Sequence, residues 1–578
     1  MQLQRLTHRI RATATRAAST SSKPRRKVID ETTLAGAQHK VSLSGPSLGH
    51  LISELSATRE GMEHVRGPGR DMDEGQRTMI RNVVKAIVVV PSLIGAGIVG
   101  YNYLSRDDVD FTSTGNPILS DGSIYSADPA PLVVNDTIYI LSGQDAAPQN
   151  VNSFIINNWN LFSTSTATPS GGDWNIQTDF LRPEQVFSWA ADGFAYASQI
   201  ISGPDSRFYL YGCFQQSNTS AQDPFAIGVA VADAVLGPYT DVTGAPIVSQ
   251  TFPSPGNNIQ NIDPTILVDD DGKVYMYWGT FGQLRTTVSS LTGFFEAPWI
   301  MKRDGIYYML YAANNAGRDS PCTPTSYHAC IAYGTAESPL GPWTFRGSLL
   351  GIVSSTTSHS GAVEYKGQWY LIYHTASADQ GGNFRRSIAW DELDFDDAVS
   401  PPAIKLVAQT SRPLPPKEPT RNRAQLATAT DEPEFAIQYW LAALNDEKIN
   451  PVPLPPEIWS SYNGDNSPVN MSLTYTWNTT QTLNGVAMVF FADQPAGSGT
   501  GVAPPVSWTV EYLTVDNTWQ PVVNQTQYPL EAGGEAVEVG FDEVQTNSLR
   551  ALLRASIDGT QTAGVGVAEW YAYAPIEQ

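Results

Sequence analysis

NIDPTILVDDDGKVYMYWG, residues 261–279, decides the fold of this chain. Two short apolar runs flank the polar turn at residues 269–272, a pattern that is typical of a β-hairpin. Short strands that recur without a long helical period predict an all-β fold, with a five-bladed β-propeller over residues 108–410. A pair of β-sandwiches is the alternative, which the repetition disfavours. The same shape recurs in PLVVNDTIYILSG (131–143), APWIMKRDGIYYMLYAA (297–313) and AVEYKGQWYLIYHT (362–375).

An internal repeat supports the propeller. The phrases AVADAVLGPYTDV (230–242) and GTAESPLGPWTFRG (334–347) share a small residue, an acidic residue and then Leu-Gly-Pro-aromatic-Thr. Repetition of one supersecondary unit is the sequence signature of repeat architectures. We therefore expect the two phrases to end equivalent blades.

Three acidic residues stand directly before apolar strands in similar contexts. Asp128 lies in SADPAP, Asp263 in NIDPTI and Glu296 in FFEAPW, so each is followed by proline one or two positions later. Equivalent strand starts of different blades converge on the central channel of a propeller, and we expect the three carboxyl groups to meet there. The alternative reading is a plain turn, because aspartate and proline commonly open turns.

A cluster of three carboxyl groups suits hydrolysis of a glycosidic bond. That reaction needs one carboxylic acid to protonate the leaving oxygen, and a second carboxylate to act as base or nucleophile on the opposite face of the sugar. A third acid nearby raises the pKa of the proton donor by like-charge repulsion. The three acids therefore predict a glycosidase.

Residues 120–410 resemble glycoside hydrolase family 43, the five-bladed-propeller α-L-arabinofuranosidases, β-xylosidases and arabinanases. The resemblance implies that Asp128 is the general base that activates water, that Asp263 tunes and orients the acid, and that Glu296 is the general acid. It also implies inversion in a single displacement, with carboxyl groups ~6.5–9.5 Å apart, on plant cell-wall polysaccharide or oligosaccharide containing arabinose or xylose. The matching phrases are SADPAPLV, FSWAADGFAYASQIISGPDSRFYLYG, NIDPTILVDDDGKVYMYWG, FFEAPWIMKRDGIYYMLYA, SSTTSHSGAVEYKGQWYLIYH and NFRRSIAWDEL.

Polar substrate contacts follow from the same resemblance. His359 matches the central-channel histidine of the family, beside which a structural calcium ion is expected, while the chemistry requires no cofactor. One of Arg385 and Arg386 is expected to reach the substrate, because alternation along a strand lets only one of two neighbours point inward. His374 ends an aromatic strand and is assigned a core or hydrogen-bonding role.

Aromatic side chains supply candidate platforms for sugar rings. Trp189, in the phrase FSWA, and Phe295, beside Glu296, are the two that we single out. Core packing is the alternative for each of them, because aromatic residues also dominate the interiors of β-proteins.

One stretch departs from the family pattern. From Gly279 to Glu296 the chain has only GTFGQLRTTVSSLTGFFE, which is too short to complete a four-stranded blade. Either that blade is abbreviated or a segment is missing from the sequence. The alternative function is therefore a non-catalytic carbohydrate-binding propeller with a degenerate active site.

A second β-domain follows the propeller. Residues 411–423 (SRPLPPKEPTRNR) predict a stiff Pro-rich linker. Residues 424–578 again contain short apolar strands, and the order of their phrases resembles a discoidin-like β-sandwich of the jelly-roll kind. Such a module would bind carbohydrate through loops at one end, and a purely structural cap on the propeller is the alternative.

The charge distribution limits the partners. The net charge is −22, yet residues 1–106 carry 16 basic against 8 acidic residues, so the remaining body is strongly acidic. An acidic body repels nucleic acid and anionic membranes. A neutral, hydroxyl-rich partner such as polysaccharide is compatible with it.

The N-terminal part predicts targeting rather than a folded domain. Residues 1–83 are polar and read as disordered or targeting sequence, and residues 1–29 have the acid-free, Arg-rich and Ser-rich composition of a mitochondrial transit peptide. Residues 84–105 form a transmembrane or signal segment, because residues 86–105 are uncharged and just long enough to span a bilayer. Basic residues before it and acidic residues after it place the body outside. We expect secretion or a single-span anchor, and mitochondrial targeting is the alternative.

Sequons and cysteines bear on the same question. The chain has no CxxC metal pattern, and Cys322 and Cys330 could pair across a short loop in an oxidising compartment, which would leave Cys213 free. Asn-x-Ser/Thr sequons favour export. They begin at Asn135, Asn218, Asn470, Asn478 and Asn524.

Overall fold

A computed structural model describes residues 108–575, apart from residues 167–171, 252–259, 280–289, 314–329, 354–356, 411–420, 434–439, 455–456, 465–466, 493–500, 525, 531–533 and 559–560. The predicted targeting region, the predicted membrane or signal segment and Cys322 lie outside the described residues. Among the residues that are described, no helix is long and apolar enough to cross a bilayer.

The first sheet is antiparallel and has the strand order β1-β5-β4-β3-β2. Its β2–β3 hairpin turns at Asn135, whose φ of 55° is left-handed, a conformation that asparagine tolerates in turns. The strands are β1 (Asp108–Thr112), β2 (Tyr125–Val134), β3 (Thr137–Asp145), β4 (Ile156–Thr164) and β5 (Asp173–Leu181).

Four further sheets follow along the chain, the first of them after a single helical turn, α1 (Pro183–Val186). The second sheet contains β6 (Tyr196–Ser202), β7 (Phe208–Gln215), β8 (Phe225–Ala232) and β9 (Thr240–Asp241). The third contains β10 (Thr265–Val268) and β11 (Val274–Tyr277). The fourth contains β12 (Phe294–Arg303), β13 (Ile306–Ala313), β14 (Cys330–Ala336) and β15 (Thr344–Leu350). The fifth contains β16 (Ser360–Tyr365), β17 (Gln368–Thr375) and β18 (Ser387–Glu392), followed by a small ladder of β19 (Phe395–Asp396) and β20 (Ala403–Ile404).

The internal repeat occupies matching positions in two of these sheets. Its Leu-Gly-Pro motif connects β8 to β9 in one sheet and β14 to β15 in the other. Gly237 and Gly341 have left-handed φ values of 88° and 85°, and the aromatic residues that follow, Tyr239 and Trp343, are buried. Each copy thus turns the chain into the last strand of its sheet.

The innermost strands of the five sheets contact one another in a ring. β2 contacts β6 and β16, β10 contacts β6 and β12, and β12 also contacts β16. The prediction of an all-β fold with propeller-like sheets is therefore confirmed. The third sheet, which precedes the stretch noted as too short, has two strands among the described residues.

The core of this region lies between neighbouring sheets. Trp174 of the first sheet packs edge-on against Trp390 of the fifth, with ring centroids 5.3 Å apart, and Tyr370 completes the contact. Edge-to-face pairs contribute about 0.5–1.5 kcal/mol beyond their buried area. Such clusters hold one sheet on the next around the ring.

A polar clasp joins the two ends of the ring. The side-chain amide of Asn116 donates to the carbonyl oxygen of Trp390 (2.9 Å), to Oδ2 of Asp391 (3.1 Å) and to Oγ1 of Thr410 (2.8 Å). Its own oxygen accepts the backbone N–H of Trp390 at 2.9 Å. A buried amide that is satisfied in this way adds stability only when its partners, more than 270 positions away, are in place.

The C-terminal domain is built on a sheet with the order β22-β30-β23-β27-β25-β26, which β21 and β24 join at β23 and β30. Tyr475 stacks on Trp570 in its core, with ring centroids 4.1 Å apart. Two single 3-10 turns, Ala424–Leu426 and Leu441–Leu444, connect its strands. The strands are β21 (Thr428–Glu432), β22 (Trp459–Ser460), β23 (Asn470–Phe491), β24 (Val502–Ala503), β25 (Ser507–Leu513), β26 (Trp519–Pro521), β27 (Val537–Arg554), β28 (Ile557–Asp558), β29 (Gln561–Thr562) and β30 (Gly564–Tyr573).

This domain begins slightly earlier than the sequence predicted. The backbone amide of Arg423 donates to the carbonyl oxygen of Ala572 (2.6 Å), and Nε of Arg421 donates to that of Ala574 (2.9 Å). Residues 421–423, predicted as the end of the linker, therefore lie along the edge of β30.

We expect Leu310→Ala to lower the free energy of unfolding by about 3 kcal/mol, because removing a fully buried side chain leaves a cavity. The measurement is a urea titration followed by tryptophan fluorescence. Leu340→Ala is the matched control, since its side chain is 57% exposed, and it should change stability by less than about 0.5 kcal/mol. Similar losses for the two variants would contradict the placement of β13.

Candidate active site

The predicted acids lie where inner strands begin, and there the backbone leaves regular β geometry. Asp128, Asp263 and Ala297 have left-handed φ values of 55°, 55° and 53°, and each directly precedes a proline. The pairing register shifts at these points in β2 and in β12. Residues other than glycine rarely adopt this conformation. Where it persists, surrounding contacts enforce it, and such strain clusters at functional sites.

Glu296 is therefore not equivalent to the two aspartates, although the sequence analysis treated all three alike. The third left-handed residue is Ala297, one position after Glu296. The backbone amide of Ala297 donates to Oδ2 of Asp263 at 3.2 Å. The kink in β12 thus supplies Asp263 with a hydrogen bond and brings Glu296 close enough to act on it electrostatically.

Asp128 lies among three nitrogen-bearing side chains. Its Oδ1 accepts a hydrogen bond from Nη1 of Arg386 at 3.0 Å, and lies 3.1 Å from Nδ1 of His374 and 3.8 Å from Nδ1 of His359. Burial opposes ionisation of this carboxyl group, but Arg386 and the two histidines outweigh burial and hold the pKa of Asp128 well below its usual range. Asp128 is consequently a carboxylate at neutral pH.

A second carboxylate, which the sequence analysis did not single out, fixes Arg386. Nε and Nη2 of Arg386 donate to the two oxygens of Asp145 at 2.9 and 3.0 Å, and the backbone amide of Arg386 donates to Oδ2 at 2.9 Å. The two side chains are 3% and 1% exposed. A bidentate pair fixes the plane of the guanidinium group. Asp145 therefore directs the remaining nitrogen, Nη1, toward Asp128.

Asp263 has the opposite environment. Its side chain is buried, and burial together with the charges of Glu296 and Asp128 raises its pKa well above the ordinary value of 3.8. Like charges that crowd one site cannot all ionise readily. Asp263 is thus the carboxyl group of the cluster that favours its protonated form.

Two histidines face Asp128, and the sequence analysis predicted only His359 as a site residue. Burial lowers the pKa of His359 to about 4, and His374 and Arg386 act in the same direction, so His359 is neutral at neutral pH. His374 is fully buried, and its ring lies between Oδ1 of Asp128 and the carbonyl oxygen of Thr357, which is 3.2 Å from Nε2. Its position at the end of a buried aromatic strand was the available signal in the sequence.

The calcium ion expected beside His359 stays a prediction. Calcium takes about six to eight oxygen ligands. Within the described ranges, no group of three or more His, Cys, Asp or Glu side chains is arranged to hold a metal ion. The cationic Arg386 also lies close to His359, where it lowers the pKa of the histidine.

Arg385, predicted as a substrate contact, points away from the acids. Its Nε donates to the carbonyl oxygen of Gln380 (2.9 Å), Nη1 to that of Pro148 (3.4 Å) and Nη2 to Oδ1 of Asn450 in the C-terminal domain (3.0 Å). Neighbouring residues project to opposite sides of an extended chain. Arg386 is therefore the one of the pair that reaches Asp128.

The two predicted sugar platforms differ in their surroundings. The indole N–H of Trp189 donates to Asp241 at 3.0 Å, and its ring packs on Phe187 and Phe214. The structure thus places Trp189 in an aromatic cluster of the second sheet, as its alternative reading required. Phe295 is half-buried beside Glu296 on β12 and stays a candidate contact.

The cluster combines a stabilised carboxylate, Asp128, with a pair of acids, Asp263 and Glu296, that interact electrostatically. Asp128 keeps its negative charge because Arg386 and hydrogen bonding from His374 outweigh its burial. Asp263 and Glu296 are close enough that one raises the pKa of the other. Carboxyl groups whose environments push their pKa values apart are suited to separate base and acid roles.

Comparison with known proteins agrees with this chemistry. The sequence model of glycosyl hydrolases family 43 matches residues 114–292 and 283–399. The two matches together cover the ring of sheets, and they overlap in the stretch that follows the two-stranded third sheet. The family pattern is thus interrupted at the place where the sequence is unusually short.

Similar proteins carry the names of glycosidases. A xylosidase/arabinosidase of Bacteroides ovatus is 25% identical over 331 residues, which cover 47% of this chain and 92% of that protein. An arabinoxylan arabinofuranohydrolase of Bacillus subtilis is 28% identical over 306 residues, or 45% of this chain and 57% of that protein. Among solved structures, a β-xylosidase/α-arabinofuranosidase from a compost microbial metagenome, in complex with xylotriose, has a TM-score of 0.40 at 24% identity and covers 52% of this chain and 99% of that chain.

We expect His359→Gln to reduce the dependence of the unfolding free energy on pH between 6.5 and 4. The folded pKa of about 4 lies below the ordinary 6.5, so between these values the unfolded chain takes up a proton that the buried imidazole refuses. The wild type should therefore lose up to roughly 3 kcal/mol of unfolding free energy as the pH falls from 6.5 to 4. Urea titrations at several pH values measure the slope, and an unchanged slope in the variant would contradict the assignment.

We expect Asp263→Asn to raise stability by about 1 kcal/mol near pH 8 while it impairs activity. Because the folded pKa of Asp263 is raised, its contribution to stability is present below about pH 4 and is lost as the pH rises. The gain should therefore vanish in acid, as thermal melts at pH 4 and pH 8 would measure.

Asp391→Asn is the control for that measurement. The Asp391 carboxylate is also buried, but it accepts hydrogen bonds from Asn116, from the hydroxyl of Tyr373 and from the amide of Thr410. Its substitution should lower the melting temperature at pH 8 because these donors lose a charged partner. If both variants shift the melting temperature in the same direction, the assignment of a raised pKa to Asp263 fails.

Proposed function

The ring of sheets, residues 114–399, belongs to glycosyl hydrolases family 43 and is a glycosidase domain, and from this premise we propose that it cleaves arabinose- or xylose-containing plant cell-wall polysaccharide. The observation that carries the proposal is the Asp128 carboxylate, which Arg386 and His374 contact and which lies within electrostatic range of Asp263. The names of the similar proteins support a pentose at the cleaved bond.

We propose an inverting, single-displacement mechanism. Asp128 takes a proton from a water molecule, whose oxygen attacks the anomeric carbon as the glycosidic bond breaks. Glu296 gives its proton to the departing glycosidic oxygen, so both products leave with complete hydroxyl groups. Asp263 lies within electrostatic range of Glu296, and repulsion between the two carboxyl groups favours one proton held by the pair, which Glu296 delivers to the leaving oxygen.

The environments of the acids support this division of roles. A base must be ionised before it can accept a proton, and the contacts of Asp128 hold its pKa low. An acid must keep its proton, and buried carboxyl groups crowded together do so more readily. His359 faces Asp128, with Nδ1 3.8 Å from Oδ1, and is suited to contact sugar hydroxyl groups.

Five blades are the arrangement that we propose for the ring. Its contacts pass through β2, β6, β10, β12 and β16, each the innermost strand of its own sheet. The C-terminal domain is proposed as a discoidin-like module for polysaccharide. Both proposals extend the coarser finding of an all-β protein with propeller-like sheets.

A second function has one observation in its favour. The third sheet has two strands among the described residues, and the family match is interrupted just after it. A blade that is not completed could displace Glu296, which follows it directly. The protein would then be a carbohydrate-binding propeller without turnover.

Export is the localisation that we propose, either through a cleaved signal or a single-span anchor. Cys330 is disulfide-bonded, and Cys213 is a free, buried thiol. Disulfides persist mainly in oxidising compartments. All five sequon asparagines are exposed, as glycosylation requires, and this supports export over mitochondrial targeting.

The proposed roles predict different effects of Glu296→Gln and Asp128→Asn on activity. On an arabino- or xylo-oligosaccharide, each should lower kcat by about 10²–10⁴. On a nitrophenyl arabinoside or xyloside, the kcat of Glu296→Gln should fall far less, because nitrophenolate leaves without protonation. The kcat of Asp128→Asn should fall as much as it does on the oligosaccharide. Release of nitrophenol and of reducing sugar measures the two rates.

Glu364→Gln is the matched control for these rates, because its exposed side chain lies on β16 of the same ring. It should leave both rates unchanged. Proton NMR of the first product then tests inversion at the anomeric carbon. A wild type that binds polysaccharide but releases no sugar from either substrate would establish the non-catalytic alternative.

A further inference from the structure

Within the described part of the chain, four residues of the C-terminal domain, which we call the clamp, form hydrogen bonds with the propeller. They contact the loops that surround the segment before Arg386, and the contacts include both side chains and backbone. Nζ of Lys448 donates to the carbonyl oxygen of Ala376 (2.7 Å), Oδ1 of Asn450 accepts from Nη2 of Arg385 (3.0 Å), the carbonyl oxygen of Val452 accepts from Nδ2 of Asn152 (2.9 Å), and Oε1 of Glu457 accepts from the amide of Asn383 (3.1 Å).

The centre of these contacts is a tight turn directly before the site. The amide of Gly382 donates to the carbonyl oxygen of Arg385 at 3.1 Å, and the amide of Arg385 donates back to the carbonyl oxygen of Gly382 at 3.2 Å. Arg385 and Asn383 are 4% and 2% exposed. The next residue, Arg386, carries the guanidinium group that contacts Asp128. A single peptide unit therefore separates the turn from the site.

Glu457 fits this turn closely. A Cβ at Gly382 would lie 2.4 Å from Oε1 of Glu457, so only glycine lets the carboxylate approach. The other oxygen of Glu457 accepts the amide of Leu454 at 2.9 Å within its own domain. The carboxylate is thus fixed on one side by the C-terminal domain, and it holds the propeller turn on the other.

Aromatic packing continues the connection toward the acids. The ring of Phe384, inside the turn, packs edge-on against Phe154 with centroids 4.7 Å apart. The guanidinium carbon of Arg386 lies 5.0 Å from the centre of the same Phe154 ring. The turn and Arg386 therefore share one supporting side chain.

We propose that the C-terminal domain positions the general base. Glu457 and Asn450 hold the turn 382–385, the turn sets the backbone of Arg386, and Arg386 keeps Asp128 ionised and oriented. Glu457 and Asn450 are positioning residues, since they act through Arg386 and touch no reacting atom. The proposal rests on the proposed function, because it concerns the base of that same reaction. It makes turnover depend on a domain that contributes no side chain to the acid cluster.

The test uses the full chain and the variant Glu457→Ala. We expect kcat on the nitrophenyl glycoside to fall about tenfold with KM changed less than twofold, because substrate contacts remain while the base loses its alignment. The acid limb of the pH profile of kcat should move to higher pH, because a displaced Arg386 stabilises the Asp128 carboxylate less. Gly382→Ala, whose new methyl group displaces Glu457 from the propeller side, should give the same two changes.

Glu511→Ala is the matched control. Glu511 lies in the same domain, on β25, where its carboxylate accepts a charged hydrogen bond from Nε of Arg550 at 2.7 Å. Its loss should cost a similar interaction without reaching the propeller. An equal fall in kcat in this variant would show general destabilisation and overturn the proposal.

Hydrogen exchange gives a readout that is independent of turnover. Amides in a peptide covering residues 376–386 should exchange at least tenfold faster in Glu457→Ala, and at the wild-type rate in Glu511→Ala. Unchanged exchange in Glu457→Ala overturns the clamp whatever the enzyme does. Faster exchange with unchanged kcat and pH profile overturns its catalytic role. If the wild type hydrolyses neither the nitrophenyl glycoside nor the oligosaccharide, the proposed function is wrong, and the positioning role is then wrong as well.

Discussion

The buried guanidinium group of Arg386 is the interaction on which the site depends. A cation with 3% exposure is costly unless anions and hydrogen bonds surround it, and Asp145 and Asp128 supply both. The two oxygens of Asp145 accept hydrogen bonds from Nε and Nη2 of the guanidinium group, which leaves Nη1 for Asp128. The charge that is thereby kept on Asp128 raises the pKa of Asp263 in turn. The lowered pKa of Asp128 is thus a consequence of this ion-pair chain, whereas burial and Glu296 are the larger causes of the raised pKa of Asp263.

Backbone geometry adds a second constraint. The left-handed residues before proline bend the inner strands where they enter the ring, and the amide freed at Ala297 serves Asp263. Regular pairing there would occupy this amide in the ladder. The pairing of these strands is accordingly interrupted at their inner ends. A backbone amide that is not used in the sheet, that of Ala297, forms a hydrogen bond with a site residue instead. Structure and chemistry are coupled through the same few peptide units.

Much of the fold could be predicted from the sequence, because hairpins and strand starts leave local patterns. The three acids stood out since each precedes an apolar run together with proline. Asp145 left no such pattern, because its role depends on a partner 241 positions away that only closure of the ring brings near. The difference between Arg385 and Arg386 likewise depends on the neighbouring domain, which local alternation does not specify. Trp189 shows the same limit, since packing and sugar binding call for the same residue type.

The clasp at Asn116 has a consequence for how the protein is made. Its partners Trp390 and Thr410 lie near the far end of the propeller sequence. At about 5–20 residues synthesised per second, the first sheet waits roughly 15–60 s before these partners exist. During that interval the side chain of Asn116 lacks these hydrogen-bond partners. A chain that ends before residue 390 would therefore lack all of these partners, and the clasp would not join its first sheet to its last.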